Sequence, residues 1–468
     1  MSALLENLRR ICGDANVLTH DDPQTDLSAW EQDWRKRSHG KALAVVRPAN
    51  VQEVADVVKA CAKETVSIVP QGGNTGLVVG SVPDESGQQV VLSLQRMNKV
   101  RSLDAANLTV VAEAGCILQT VQDHVEKAGY LFPLSLAAEG SCTLGGNLGT
   151  NAGGTQVVRF GNTRELCLGL EVVTAQGEIW HGLSGLRKDN TGYDLRNLLI
   201  GSEGTLGVIT AASLRLFPKA TTEGAALMVV PDPAAALSLL TLVQARCGGV
   251  SAFELISGMG LRFLAETMPQ VRQPFAQVPE WMVLIDLGLT EGAPEAVLSD
   301  LFEAALAQGL VTGGVIAQST AQRSQFWALR ETIPLANRAV GAVSSHDISL
   351  PLSEIANFIR VADAALAALG PWRINCFGHL GDGNLHYNVF PPKGEKPARY
   401  QAKAQAVQDL VHSMVMDRGG SFSAEHGIGR LKVADLERFG DPAKLAAMRA
   451  IKAALDPYGI MNPGAVLR

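Results

Sequence analysis

The sequence predicts an α+β protein built in two parts, on three observations. At 468 residues the chain exceeds what one hydrophobic core serves well, so two or three domains are expected. Short β-branched runs alternate with a few helical stretches as far as Pro218, and beyond it strands interleave with longer Ala/Leu-rich helices. Three glycine-rich segments fall at strand ends in the first part. The expected division is 1–218, 219–402 and a helical return segment, 403–468.

The elements follow from local pattern. Leu4, Leu5, Leu8 and Ile11 have helical spacing up to Cys12. Leu43 to Arg47 reads as a strand stopped by Pro48; Asn50 then caps a helix with apolar positions Val51, Val54, Val57, Val58 and Cys61 and Glu53 in its first turn. Val66 to Val69 is a buried strand that runs into Pro70-Gln71-Gly72-Gly73-Asn74-Thr75-Gly76-Leu77. Strands are expected at Val90 to Leu94, Leu108 to Ala114, Leu168 to Val173 and Gly207 to Phe217, with a helix near Leu118 to Ala128. In the second part the runs from Ala225, from Trp281 and from Gly314 read as strands, and Ala234 to Ala245, Ala293 to Gln308 and Leu352 to Leu369 as helices. The strand–helix–strand opening lacks the Gly-x-Gly-x-x-Gly that a dinucleotide fold needs, which disfavours NAD.

The glycine-rich segments carry the first chemistry. Without side chains, consecutive amides at Gly72, Gly73 and Gly76 can nest around phosphate oxygens, with Asn74 and Thr75 as expected side-chain donors. A second segment, Gly140 to Gly154, packs six glycines among small hydroxyl and amide residues, and a third runs from Gly201 to Ile209. Three such loops in one half argue for one extended cofactor, although any one alone is an ordinary turn more often than a phosphate site.

Composition bounds the partners. A net charge of -6 with no dense basic run gives no reason to expect nucleic acid. The seven cysteines are odd in number and never spaced as Cys-x-x-Cys, which excludes the common iron–sulfur and zinc-ribbon patterns and fits reduced thiols of a cytoplasmic protein. No signal peptide or membrane-length apolar run is read, so at most peripheral membrane contact is expected.

A second cluster surrounds three histidines. Gly381-Asp382-Gly383-Asn384 between two apolar runs reads as a β-hairpin turn that sets His379 and His386 side by side, and Glu425-His426 lies in a second polar, glycine-rich motif. Two imidazoles and a carboxylate suit a borderline divalent ion such as Zn²⁺; core histidines are the plain alternative. Arg330 reads on its own as a helix-surface arginine.

Pro70 to Leu77, Gly140 to Gly154, and Arg187-Lys188-Asp189-Asn190-Thr191-Gly192-Tyr193-Asp194-Leu195 through Gly207 resemble the FAD-binding domain of the vanillyl-alcohol-oxidase (PCMH) type flavoenzymes. The similarity runs from about residue 40 to the end and is closest to the D-2-hydroxy-acid dehydrogenases, a group that includes D-2-hydroxyglutarate and D-lactate dehydrogenases and the glycolate oxidase FAD subunit. It implies a ferredoxin-like α/β cap of the FAD-linked oxidase C-terminal type as the second domain. It implies FAD contacts from Pro70, Gly72, Gly73, Asn74, Thr75, Gly76, Leu77, Ser93, Pro133, Gly140, Ser141, Thr143, Gly146, Asn147, Thr150, Asn151, Ala152, Gly154, Gly204, Ile209 and Asn462. It makes His379, His386 and Glu425 the ligands of a divalent metal, His426 the general base, Asn388 a substrate contact and Arg330 the fork for the substrate carboxylate. The first loop has Asn74 and no histidine, so the FAD is expected to be non-covalent.

The implied reaction is metal-assisted: a D-2-hydroxy acid loses its hydroxyl proton to His426 and a hydride to flavin N5, giving the 2-keto acid. With no cysteine cluster, the chain needs an external electron acceptor, whether a quinone, an electron-transfer flavoprotein or a partner subunit; the family implies a homodimer. Departures touch the substrate. Ser345 stands where the hydroxyglutarate enzymes typically carry a lysine, and Pro334 where a hydroxyl residue can occur, which leaves D-lactate, or an acid met by Arg338, as competitors. Two rivals remain, a zinc hydrolase, which leaves the glycine loops unexplained, and a non-catalytic FAD subunit, which should have lost Arg330 or the histidine motifs.

Overall fold

The computed structural model describes residues 2–22 and 24–468. The chain packs as two units, Met1–Gly153 with Gly161–Lys219 and Glu425–Arg468, and Gly154–Phe160 with Ala220–Ala424.

In the first unit the helix Val51–Lys63 starts where Asn50 accepts the Glu53 N–H at 2.9 Å while the Glu53 carboxylate accepts the Ala49 N–H at 2.8 Å. This reciprocal cap satisfies donors that a helix start leaves orphaned. The helix buries Val54, Val57, Val58 and Cys61 together with Val46, Ile68, Val90 and Leu92. Those last residues come from Ala42–Val46, Gln89–Ser93 and Ile68–Gln71, which run parallel, with Val17–Leu18 antiparallel at one edge. The end of the chain extends this sheet: Ile68 donates to the Ile460 carbonyl and accepts from the Asn462 N–H, at 2.7 and 2.8 Å. A second, antiparallel sheet follows in the order Val100–Asp104, Thr109–Glu113, Val208–Arg215, Cys167–Val173, Ile179–Gly182.

One expectation is corrected here. The second glycine-rich segment is not loop throughout, because Leu144–Thr150 is a helix that starts after Thr143 and stops at Asn151, whose φ is 51°. Glycine is a poor helix former in isolation. Here its lack of a side chain is what lets the helix approach the neighbouring strand, since a Cβ on Gly145 would lie 2.8 Å from the Ala114 side chain and 3.1 Å from its carbonyl.

The second unit is built on a seven-stranded antiparallel sheet. Its order is Gly313–Ile316, Thr222–Val230, Trp281–Leu289, Val250–Ser257, Arg373–His379, Asn384–Phe390, Ser344–Ser349. One face packs Phe253, Leu255, Val283 and Tyr387 under the helices Pro233–Arg246, Pro294–Ala307, Leu352–Ala367 and Ala404–Met416. The other packs Ile256, Leu284, Phe377 and Phe390 under Gly258–Thr267 and Thr320–Val340. The return segment expected from residue 403 is therefore divided. Val407, Val411 and Val415 form one stripe of the helix Ala404–Met416 and bury in the second unit's core, whereas 425–468 belongs to the first unit.

The glycines of the first loop hold it against the second. A Cβ on Gly73 would fall 2.2 Å from the Ser141 carbonyl oxygen, a backbone atom that cannot swing aside. Gly73→Ala should lose about 1–3 kcal/mol of stability by overpacking. Urea denaturation checks this, and an unchanged midpoint would show that the two loops do not pack as described.

Candidate active site

The first unit contains a cavity with about 950 Å³ of empty space, open solvent included, walled by the strand end and loop Pro70–Gly76, the Cys142–Thr150 turn and helix, Ser202–Gly204 and Gly207–Ile209. The walls meet through glycines: a Cβ on Gly72 would lie 2.2 Å from Thr143 Oγ1. Of the sequence-predicted cofactor residues, Pro70, Gly72, Gly73, Asn74, Thr75, Gly76, Thr143, Gly146, Asn147, Thr150, Gly204 and Ile209 line this cavity. Leu77, Ser93, Pro133, Gly140, Ser141, Asn151, Ala152 and Asn462 are not among its lining residues, and Gly154 belongs to the short segment that packs with the second unit. Gln71, Gly80, Ser81, Gly145 and Glu203 also line it, and the sequence reading had not named them. The Thr143 and Ser93 hydroxyls are buried without a protein hydrogen-bond partner. Such orphaned groups, on or beside a wall of backbone amides, fit a ligand that brings its own oxygens and ring carbonyls.

Asn74 requires a correction. Its side-chain amide donates to the carbonyls of Ala29 and Gln32 at 3.0 and 2.8 Å and its oxygen accepts from Ser81, so it braces the loop from behind and is not the expected phosphate donor. Its positive φ, 53°, is the loop's own requirement, and asparagine tolerates it better than most residues.

Glu203 joins the cavity to the segment that carries His426. Its carboxylate accepts the N–H groups of Ile428 and Gly429 at 2.7 and 2.8 Å, two and three residues beyond His426. Burial pushes its pKa up, against the lowering effect of those two amides. Asn462 spans the same region, donating to the carbonyls of Glu203 and Gly80 at 2.8 Å each and accepting from Arg430 at 3.1 Å. In the described contacts Asn462 is thus a brace between loops. The only local hint of Glu203 is an acid set between Ser202 and Gly204 in a turn, where its own φ is 51°.

In the second unit one sheet face gathers His379, His386 and Asn388, whereas Glu425 and His426 belong to the first unit. The hairpin forms between Arg373–His379 and Asn384–Phe390, with His386 opposite Phe377 and His379 one diagonal step away. The two imidazole rings stand 5.5 Å apart, nearly perpendicular. On the same face Asn388 pairs with Asn375 on one side and Ser345 on the other, and Asp347 pairs with His386. Across the sheet, Glu254 sits directly opposite His379 in the ladder. It is fully buried, and its Oε1 lies 2.7 Å from His379 Nδ1. Its Oε2 accepts from Arg330 Nε at 2.8 Å and lies 2.7 Å from Arg330 Nη2. Burial pushes the Glu254 pKa up, but the His379 and Arg330 interactions outweigh it and hold the group at about 2. Arg330 also lies over the Phe377 ring at 4.7 Å. Contrary to its reading as a helix-surface group, Arg330 is buried, and two of its nitrogens are already engaged by the protein. Pro334, one turn on in the helix Thr320–Val340, lacks the N–H that would otherwise bond the Arg330 carbonyl. Glu254 escaped the sequence reading, and its one signal is a lone carboxylate inside the apolar strand Val250–Ser257.

Comparison with known proteins fits both units. Residues 42–182 match the FAD binding domain family and residues 220–466 the FAD linked oxidases, C-terminal domain. The chain is similar to the mitochondrial D-2-hydroxyglutarate dehydrogenase of Arabidopsis thaliana, 38% identical over 98% of this chain and 80% of that one. It is also similar to the D-2-hydroxyglutarate dehydrogenase of Xanthomonas citri pv. viticola, 37% identical over 94% and 92%. The chain belongs to the FAD-dependent D-2-hydroxy-acid dehydrogenases. Its fold is that of the PCMH-type flavoproteins, as in p-cresol methylhydroxylase, with a TM-score of 0.75 at 17% identity over 99% of this chain and 96% of that one. The dehydrogenase binds FAD and passes electrons from a small hydroxy acid to an acceptor. Among its described residues no helix is long and apolar enough to cross a membrane.

The raised pKa of Glu203 has a measurable consequence. A carboxyl whose folded pKa exceeds the unfolded value of 4.5 adds stability that is full below that value and is lost as pH rises through the folded pKa. Glu203→Gln, fixed neutral, should lose less stability than the wild-type dehydrogenase over that rise. Urea melts at a series of pH values check it, and parallel curves would contradict the assignment.

Proposed function

We propose that this dehydrogenase oxidises D-2-hydroxyglutarate to the 2-keto acid, with a divalent metal such as zinc held by His379, His386 and Glu425, and His426 as general base. The single observation that carries the reading is the histidine pair, whose ligand nitrogens lie within 4.8 Å of each other. The donor set fits an ion. His379 has the Glu254 carboxylate at hydrogen-bond distance on Nδ1, 2.7 Å, the arrangement that metal-binding imidazoles use, and His386 has Asp347 farther off, at 3.9 Å. Glu425 follows Ala424, whose N–H donates to the carbonyl of Asp347, and Asp347 is the ladder partner of His386.

When bound, the FAD supplies a hydride acceptor at N5 and the ion supplies Lewis acidity toward the substrate hydroxyl. The protein's own residues do the rest. A neutral His426 takes the hydroxyl proton, and loss of that proton with the Cα hydride leaves the 2-keto acid. Arg330, with Nε and Nη2 held by Glu254, has its planar group fixed, and its remaining Nη1 would be the donor to a substrate carboxylate. Asn388 orients the substrate from the strand beside His386. Non-covalent flavin, a quinone, electron-transfer flavoprotein or partner subunit as acceptor, a homodimeric assembly and a cytoplasmic setting complete the proposal; for the last, the support is seven buried cysteines with no disulfide among them.

The names of the relatives support hydroxyglutarate. The distal carboxylate then needs a cation, and Arg338, exposed and two turns beyond Arg330 on the same helix, is the candidate. A second reading, a D-lactate-type substrate, is favoured by Ser345, an uncharged residue paired with Asn388.

Anaerobic spectra of the purified dehydrogenase decide between them. D-2-hydroxyglutarate should bleach the flavin band, its L-enantiomer should not, and both chelation and His426→Ala should abolish bleaching. Arg338→Ala should raise KM for hydroxyglutarate about 10–100-fold, the worth of one charge-assisted bond, and leave D-lactate untouched. Faster bleaching by D-lactate with no effect of Arg338→Ala would sink the hydroxyglutarate assignment.

A further inference from the structure

We propose that Glu254 is the positioning residue of the metal site: its carboxylate fixes the His379 tautomer so that Nε2 is the ligand atom, and holds Arg330 in place with its other oxygen. The proposal rests on the metal reading above and names a residue that the reaction itself does not use.

The division of the two oxygens carries it. A carboxylate that merely neutralised Arg330 would take the guanidinium fork with both oxygens, the usual bidentate pairing. Glu254 instead meets Arg330 with Oε2 alone, accepting from Nε and lying 2.7 Å from Nη2, and directs Oε1 to His379 Nδ1. With Arg330 Nε and Nη2 within 2.8 Å of Oε2, Glu254 is held as the anion of an ion pair, and an ionised carboxylate can only accept. His379 Nδ1 must then carry the ring proton, and the lone pair of that imidazole is on Nε2. The backbone enforces the alignment, because Glu254 and His379 are directly paired in the antiparallel ladder, side chains on one face. No rotation of either side chain about a mobile loop is involved, since both belong to central strands of the seven-stranded sheet.

The isosteric amide distinguishes this role from simple charge balance. Glu254→Gln has one acceptor oxygen where two are needed. With that oxygen on Arg330, the amide N–H groups face His379 Nδ1, which must then accept and move its proton to Nε2, the ligand atom.

The test uses FAD-loaded protein dialysed against a chelator and titrated with Zn²⁺ in competition with a chromophoric chelator. Zinc affinity should fall about 10–100-fold in Glu254→Gln, with flavin absorbance retained. Glu254→Asp, which keeps two acceptor oxygens, should recover part of the loss. Equal affinity in wild type and Glu254→Gln would overturn the positioning role while leaving the metal site standing. Wild-type protein that binds no zinc, cobalt or manganese would overturn the metal reading and this proposal with it. Should Glu254→Gln fail to fold, long-range ¹H–¹⁵N spectra of histidine-labelled wild type decide the matter, the His379 signal being identified by its loss in His379→Gln. Protonation at Nδ1 supports the proposal, and protonation at Nε2 overturns it.

Discussion

A carboxylate with no exposure to water lies in the middle of the second unit's sheet, and the arrangement of that face follows from the need to match its charge. An isolated buried Glu254 would cost several kcal/mol and would protonate. It remains ionised because Arg330 reaches it from the helix Thr320–Val340 and His379 from the neighbouring strand. The helix is therefore pinned to the sheet at that point by a charge pair as well as by Phe326, Leu329 and Ile333 in the surrounding core. Removing Glu254 or Arg330 leaves the other's charge uncompensated and removing His379 leaves a Glu254 oxygen without its partner, so the three behave as a unit whose single deletions do not add.

The first unit solves a different problem with the opposite means. A flat, extended ligand needs backbone within reach, and glycines at 72, 73, 145 and 146 withdraw side chains from the places where two loops and a short helix converge. Such a surface has little apolar packing of its own. Polar braces supply the rigidity: Asn74 from one side, and Glu203, Arg430 and Asn462 from the other. Because the Glu203 carboxylate grips Ile428 and Gly429, the segment bearing His426 inherits its position from a wall of the cofactor cavity. The cavity wall and the segment that carries His426 are thus parts of one hydrogen-bonded frame within the unit.

Much of this was legible in the sequence wherever the controlling physics is local. The cap at Asn50, the β-branched runs at Ala42–Val46 and Gln89–Ser93, and the hairpin turn at Gly381 to Asn384 each follow from residues within a few positions of one another. Leu144–Thr150 was not legible as helix because propensity argues against it, and the close contact with Ala114 that rewards glycine there comes from a strand distant in sequence. Glu254 is the clearest case. Its partners lie 76 and 125 residues away, and nothing near it in the chain distinguishes a charge inside a strand from a misread loop. Asn74 and Asn462 were noticed as polar residues in the right loops, but whether an amide faces a ligand or the loop behind it is decided by tertiary contacts alone.

Charge arithmetic connects these observations to the chemistry. Glu254 and Arg330 cancel, and on the proposed tautomer a His379 protonated only at Nδ1 adds nothing, so the buried trio would present no net charge to a substrate. Glu425 and an incoming hydroxy-acid carboxylate then bring two negative charges to a site that the trio cannot offset. A divalent cation on the proposed ligands His379, His386 and Glu425 would supply positive charge against these carboxylates and against the buried Asp347 beside His386. Arg338 or some other cation becomes necessary only for a substrate with a second carboxylate. On the proposed reading the metal would serve the 2-hydroxy-acid end, shared by hydroxyglutarate and lactate alike, and the choice between those acids would fall to the residues around Ser345 and Arg338.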